Sequence, residues 1–327
     1  MVSFDINLKN KFLEHNYTSV IKMTSNPVIS GFMVNKKLRE TLLSSIGEFK
    51  ERQTLYTYGT FVEGGKIELL NLYDGSIEER AYSKDIAKFF FDSTGCACHT
   101  NSKNVVDNAF FEFIERQIYI FTYLTKSEVK LLEFSFDLED IVPCKYKDLN
   151  YYNLSSVDSL FVILVYGWIE DKIYISLGAS NSLGGAINKA IKEIEQLSHV
   201  YSSGSHQKLE KKIGKEMSYF NIFMSIPDEK LKKSFQFLQN ASCHNVNLNE
   251  LELQFTFEDI LKDLKKEYGM EPKLIFLDND SLKVVKVVDF NWFPSLLPRM
   301  ASSENIAFIE SKTGRNIDRK CNFIPFP

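Results

Sequence analysis

The sequence predicts a mixed α/β (α+β) fold, and three observations carry that prediction. Apolar residues recur at helical spacing, first at Leu38, Leu42, Ile46 and Phe49. Short β-branched and aromatic runs bounded by turn residues recur between such stretches. No low-complexity linker divides the chain, so residues 1–327 read as one domain, and 44% hydrophobic content is ample for a packed core.

The helix opening at Leu38 contains "SSIGEFKER" (44–52) and places Glu48 and Glu51 on one face, clear of the apolar stripe. After it "TLYTYGTFV" (54–62) and "KIELLNLY" (66–73) read as strands joined through "EGG". A second helix is expected over 104–117, followed by "IYIFTYL" (118–124) and "VKLLEFSFDL" (129–138) as strands. "SLFVILVYGW" (159–168) and "KIYISLG" (172–178) flank a turn at Glu170 and Asp171, and a third helix covers 183–201. The polar stretch about 202–215 reads as a surface loop. "PDEKLKKSFQFLQ" and "FEDILKDLKKEYG" are helices, the first opened by Pro227 and the second closed by Gly269. "KLIFLDNDSLKVVKVVDF" is a hairpin turning at Asn279.

Charge and hydropathy then limit the function classes. A net charge of −4 leaves no overall basic surface for nucleic acid. The N-terminus lacks the apolar core of a signal peptide, and the longest apolar run, 160–168, is too short to span a bilayer. The expectation is a cytosolic protein without membrane or nucleic-acid partners. Cys96, Cys98, Cys144, Cys243 and Cys321 form no framework, so reduced thiols are expected. "CACH" (96–99) joins thiolates and imidazole, but no second ligand pair follows it, and small buried residues are the expected reading. In "SCH" (242–244) neighbouring side chains of a strand face opposite ways.

The carboxylates are the informative pattern. "EFIERQ" repeats the design of the first helix with Glu112, Glu115 and Arg116, and "KEIEQ" sets Glu193 three residues before Gln196. Two such helices facing each other gather four acidic groups, an arrangement that calls for bound cations. Clustered hard oxygen ligands suit magnesium, and magnesium suits nucleotide phosphates.

With these residues in view the sequence resembles the YcaO family. "SSIGEFKER" fits an SxxExxER motif at Ser45, Glu48, Glu51 and Arg52. "STGCACHTNSKNVVDNAFFEFIER" (93–116) is similar to the segment in which a glycine-containing turn leads into a helix bearing ExxER. "LGASNSLGGAINKAIKEIEQ" (177–196) resembles the third segment, a glycine turn before a helix with ExxQ, and the end "IPFP" looks like the proline-rich terminus of azoline-forming members. The "GC" turn with its nearby His and the "PFP" end look most like the cyclodehydratase subunit of microcin-type thiazole/oxazole synthetases.

The resemblance implies a fold of β-sheets flanked by helices, with an ATP site between the motif-bearing helices. It implies an ATP-dependent enzyme that activates a backbone amide of a ribosomally made precursor peptide, so that Cys, Ser or Thr side chains close to thiazolines or oxazolines. Glu48, Glu51, Glu112 and Glu115 would hold Mg2+ on the phosphates. Glu193 and Gln196 would contribute to the nucleotide pocket, and Ser45 and Arg52 would contact the nucleotide. The tail 322–327 would bring the Pro327 carboxylate to the reacting amide as a general base. Implied partners are the precursor peptide, a leader-binding E1-like protein and a flavin-dependent azoline dehydrogenase. The sequence departs from the family where Arg often follows ExxQ (Ser198 here), at the acidic position before the second motif (Asn104) and at Ile324; Lys36 and Lys37 are only candidates for an N-terminal glycine-lysine turn. Thioamide or amidine formation, and a non-catalytic scaffold subunit, are the alternatives.

Overall fold

The computed structural model describes residues 2–7, 17–26, 29–35, 37–59, 65–136, 149–169, 172–202, 222–223 and 225–326. Pro327, Lys36, His15, Cys144, His206, the turn at Glu170 and Asp171, and the expected loop from residue 203 onward lie outside the described residues. The chain divides into two compact units, Met1–Gln117 with Tyr268–Arg315, and Ile118–Glu267 with Asn316–Pro327.

In the first unit β1 (Val2–Asn7), β2 (Tyr17–Met23) and β3 (Ser30–Asn35) form an antiparallel sheet in that order. Helix α1 (Leu38–Gly59) lies on β2 and β3. A second, antiparallel sheet has the order β5 (Ile77–Ala81), β4 (Lys66–Asn71), β12 (Lys273–Asn279), β13 (Lys283–Val288), β6 (Cys96–His99). One face of it buries Ile67, Leu69, Ile275, Leu277, Val284 and Val288 against Leu55, Phe89 and Phe90. Short helix α2 (Lys84–Ala87) is capped by Ser83, and α8 (Ser303–Thr313) begins with a capping box of Ser302 and Asn305.

Helix α3 (Ser102–Thr125) runs through the division between the units. The expected strand 118–124 is therefore corrected to its last two turns. Ile118, Tyr119, Ile120, Phe121, Tyr123 and Leu124 are all buried, and an apolar run covered on every side carries no period that separates strand from helix. The expected strand 54–62 is likewise corrected over 54–59, which continue α1; 60–64, with most of the "EGG" turn, lie outside the described residues. There the aromatic residues serve as helix anchors: Tyr58 stacks on Phe90 with ring centroids 5.6 Å apart and donates to Leu277 O at 3.2 Å. The partner of β4 is β5.

The second unit holds a sheet ordered β10 (Lys172–Ser180), β9 (Phe161–Ile169), β8 (Leu149–Asn153), β7 (Lys130–Phe134), β11 (Ser242–Val246). Only the β7–β11 pair is parallel among these. Helix α4 (Leu183–Ser202) packs its apolar stripe on β9 and β10. Helices α5 (Asp228–Ser234), α6 (Leu248–Glu252) and α7 (Phe257–Tyr268) follow, α7 ending at Gly269 with φ +65°. No helix among the described residues is long and apolar enough to cross a membrane.

Candidate functional site

The motif on α1 is positioned by polar contacts. Ser45 is fully buried, donates to Leu42 O (3.0 Å), and lies 2.6 Å from the Ser19 hydroxyl of β2. Its hydroxyl is thus engaged within the helix seat. One turn on, Glu48 Oε2 accepts from Phe32 N of β3 at 2.6 Å, and its other oxygen is paired with Arg52. Arg52 also donates to Ser30 Oγ at 3.2 Å. Glu51 Oε1 accepts from Cys98 N of β6 at 2.6 Å. Both acids therefore bind backbone donors of strands beside the helix.

The second motif sits where α3 passes the glycine turn before β6. Gly95 has φ +69°, and a Cβ there would lie 2.5 Å from Val287 O and 2.9 Å from Phe113 Cβ, so only glycine lets the turn press against both β13 and α3. One residue past Arg116, the Gln117 amide donates to Phe293 O and accepts from Phe293 N, both at 3.0 Å, which pins the helix axially. Glu115 is buried, and Arg116 Nε stands 3.5 Å from it.

The acids of α1 and α3 feel one another's charge. Burial, then the charge of Glu48, pushes the Glu51 carboxyl up to about 8. Glu112 is raised well above the ordinary carboxyl range, chiefly by burial; Arg116 opposes the rise, and Glu51 and Glu115 add to it. Burial and Glu51 also keep the thiol of Cys96 far above its usual range and push Cys98 up to about 12, so both are thiols rather than thiolate ligands. Among the described residues no three His, Cys, Asp or Glu side chains stand in a metal-coordinating arrangement. The donor set fits Mg2+ in chemistry, being hard, crowded oxygens short of positive charge. Glu48 and Glu51 each accept a strand N–H on one oxygen, from Phe32 and Cys98, which leaves carboxylate lone pairs for a cation.

Sequence reasoning missed Lys286, whose charge is felt by both Glu51 and Glu112. Its side chain is 1% exposed, and Nζ donates to Thr94 O (2.5 Å) and Asp92 O (3.1 Å). The available signal was a lysine inside "KVVKVV", where a strand otherwise runs apolar.

The remaining expected residues belong to the second unit. Glu193 and Gln196 flank the buried stripe of α4 and are half-buried. Ser198, at the expected Arg position, donates to Glu195 O at 2.8 Å within its own helix. The tail is packed as far as it is described: Ile324, Pro325 and Phe326 are buried, Tyr119 donates to Pro325 O, and the rings of Tyr119 and Phe326 lie 5.6 Å apart.

No family model matches the sequence, and no curated protein matches it. Solved structures do match. A chain of the E. coli microcin synthetase McbBCD complex superposes with a TM-score of 0.71 and 15% identity, over 99% of this chain and 96% of that one. The same complex with pro-MccB17 bound gives 0.71 and 16% over the same shares. YcaO from Methanopyrus kandleri bound with AMPPCP and Mg2+ gives 0.59 and 13%, over 85% and 82%. At such identities the likeness lies in the backbone, and it runs through the elements that carry the motifs: the chain has the YcaO fold.

Proposed function

We propose that the chain is an ATP-dependent, YcaO-type peptide cyclodehydratase. The observation that carries this reading is the crowding of the acids of α1 and α3 in the first unit, where burial and neighbouring carboxylates raise the Glu51 and Glu112 carboxyls above the ordinary glutamate range. Crowded, desolvated carboxylates call for cations, and phosphoryl transfer is mainly positioning and charge neutralisation by metal and guanidinium. Glu48, Glu51, Glu112 and Glu115 hold Mg2+, which neutralises phosphate charge when bound. Arg52 contacts the nucleotide, and the family resemblance gives Glu193 and Gln196 a nucleotide-binding role as well. Ser45 acts through the seat of α1 rather than by touching ligand. A Cys, Ser or Thr side chain adds to the preceding amide carbonyl, whose oxygen is phosphorylated by ATP and leaves as phosphate.

The buried tail supports a role for its end. Pro325 has a fixed φ and no N–H donor, and Tyr119 donates to its carbonyl, so the tail is held at Pro325 and Phe326. Pro327 then supplies the general base. The similar McbBCD chain comes from a complex with pro-MccB17 bound. By that likeness this chain works in a multi-subunit complex on a precursor peptide delivered by an E1-like partner, with a flavin-dependent dehydrogenase oxidising the azolines.

One observation favours the scaffold alternative: Ser198 turns its hydroxyl to its own helix where the family often carries Arg. Calorimetric titration with Mg2+ and ATP separates the two, combined with phosphate release in the presence of partner and peptide. The enzyme binds nucleotide alone and turns it over when substrate is delivered. Absence of nucleotide binding in every combination leaves the scaffold.

A further inference from the structure

The last described residues are packed, whereas chain ends commonly fray. Ile324, Pro325 and Phe326 are buried, although none of them belongs to a strand or a helix. Pro325 has no N–H, so its carbonyl is the one hydrogen-bonding group it can offer, and Tyr119 of α3 donates to that carbonyl. The ring of the same tyrosine lies 5.6 Å from the ring of Phe326. One side chain thus holds two consecutive residues of the tail, the first by its hydroxyl and the second by its ring.

Tyr119 is itself fixed from behind. It is 1% exposed, and the ring of Tyr123, one turn further along α3, packs on it at 6.3 Å. Tyr123 in turn meets Phe235 and Phe237 edge-on at 5.8 and 6.1 Å, and the Lys126 ammonium sits 3.4 Å over its face. A ring enclosed in this way keeps one orientation, as a group that must place another group requires. The tail is also tied to α3 at Asp318, whose N–H donates to Leu124 O at 3.1 Å, and Arg319, Lys320 and Asn322 between the two ties are exposed.

We propose that Tyr119 is a positioning residue for ring formation: by gripping Pro325 and Phe326 it sets the reach of the tail, whatever path residues 319–322 take to arrive there. This assignment rests on the reading above in which the tail takes part in catalysis, and it gives α3 a second duty beside carrying Glu112 and Glu115.

The test compares wild type, Tyr119→Phe, a chain extended by two glycines after Pro327, and the combination of the two changes. Hydrogen exchange on the full chain alone is the first readout. Tyr119→Phe keeps the ring and loses only the hydroxyl, so exchange in the 318–326 fragment should quicken while the rest of α3 stays protected; unchanged exchange overturns the assignment. The second readout is ring formation in a precursor peptide with its E1-like partner, followed by mass spectrometry as loss of water. Tyr119→Phe should lower kcat about tenfold or more, since small misplacements of a reacting group are costly. KM for the peptide and the Kd for ATP with Mg2+ should stay within about twofold, because uniform binding is untouched. The glycine extension should cripple ring formation, and Tyr119→Phe should then cost nothing further, as expected of two changes acting through one element. A further loss in the extended chain would leave Tyr119 as a core residue of α3 and overturn its positioning role, as would a wild-type kcat for Tyr119→Phe when the extension is crippling. An extended chain that forms rings at the wild-type rate would sink the tail reading itself, and the exchange result alone would then decide whether Tyr119 grips the tail. Phe326→Leu, which weakens the grip from the tail side, should reproduce the pattern and carries the test if Tyr119→Phe fails to fold.

Discussion

Two helices rest on two sheets by the same device and are held there by different forces. A Cβ on Gly31 of β3 would lie 1.9 Å from Ser45 O of α1, and one on Gly178 of β10 would lie 2.2 Å from Ala186 O of α4. A serine crosses each contact, Ser19 to Ser45 in the first unit and Ser176 to Ala190 O (2.8 Å) in the second. Around that shared motif α4 buries Leu183, Ala186, Ile187, Ala190, Ile191, Ile194 and Leu197, an apolar stripe. The buried residues of α1 are Thr41, Ser45, Gly47, Thr54 and Leu55. Hydrophobic burial fixes α4, whereas α1 is fixed by hydroxyls and by carboxylates that reach strand N–H groups. The acids expected to hold metal are therefore also fasteners of the helix that carries them.

The glycine contacts give the largest expected effect. Gly31→Ala and Gly178→Ala each place a methyl on helix backbone, which cannot yield as a side-chain end can, and each should cost about 3 kcal/mol or more. Denaturant melts of both variants would show it, with Gly31→Ala the worse, its clash being closer and its helix less supported by apolar packing. A wild-type midpoint for Gly31→Ala would mean that α1 slides freely, and the comparison would fail.

A smaller effect follows from the carboxylates of α1, and α4 has no such group in its buried stripe. The folded Glu51 carboxyl titrates at about 8 against an ordinary 4.5, with Glu48, Arg52, Lys286 and the Cys98 N–H around it. Below about 4.5 both folded and unfolded chains hold the proton. Between 4.5 and 8 the folded chain alone holds it, so metal-free stability falls as pH rises through that window and levels off above it. Glu51→Gln should flatten this slope while losing only part of the bond to Cys98 N, since an amide oxygen still accepts. Melting temperatures across pH 5 to 9 without metal test it; an unchanged slope in Glu51→Gln would remove Glu51 as its source.

The comparison also explains what could be read from the chain. The acidic pairs were legible because a helix fixes side-chain direction by spacing alone, so Glu48 with Glu51, and Glu112 with Glu115, share faces before any fold is known. The sheet hairpins of β9 with β10 and β12 with β13 were legible from alternation and turn residues. The second half of α3 was not, since its burial on all sides erased the period. Neither was Lys286, whose role depends on β6, β12 and β13 coming together from positions far apart in sequence. The engagement of Ser45 by Ser19 was hidden for the same reason, and the glycine partners at 31 and 178 gave no local signal of which helix would press on them.

The serines provide the smallest test and the one that divides seat from site. Ser176→Ala removes a bond to a helix carbonyl in the apolar seat and should cost about 1 kcal/mol. Ser45→Ala removes the partner of Ser19, but Ser19 keeps Thr41 O at 3.1 Å, so its cost should be no greater. If Ser45 acts only through the seat, Ser19→Ala and Ser45→Ala will weaken nucleotide binding equally and slightly, each by less than about threefold. If Ser45 touches the nucleotide, Ser45→Ala will weaken binding well beyond Ser19→Ala at matched stability. Titration of the two variants with Mg2+ and ATP decides between these outcomes, and the geometry of the 2.6 Å Ser19 to Ser45 contact favours the first.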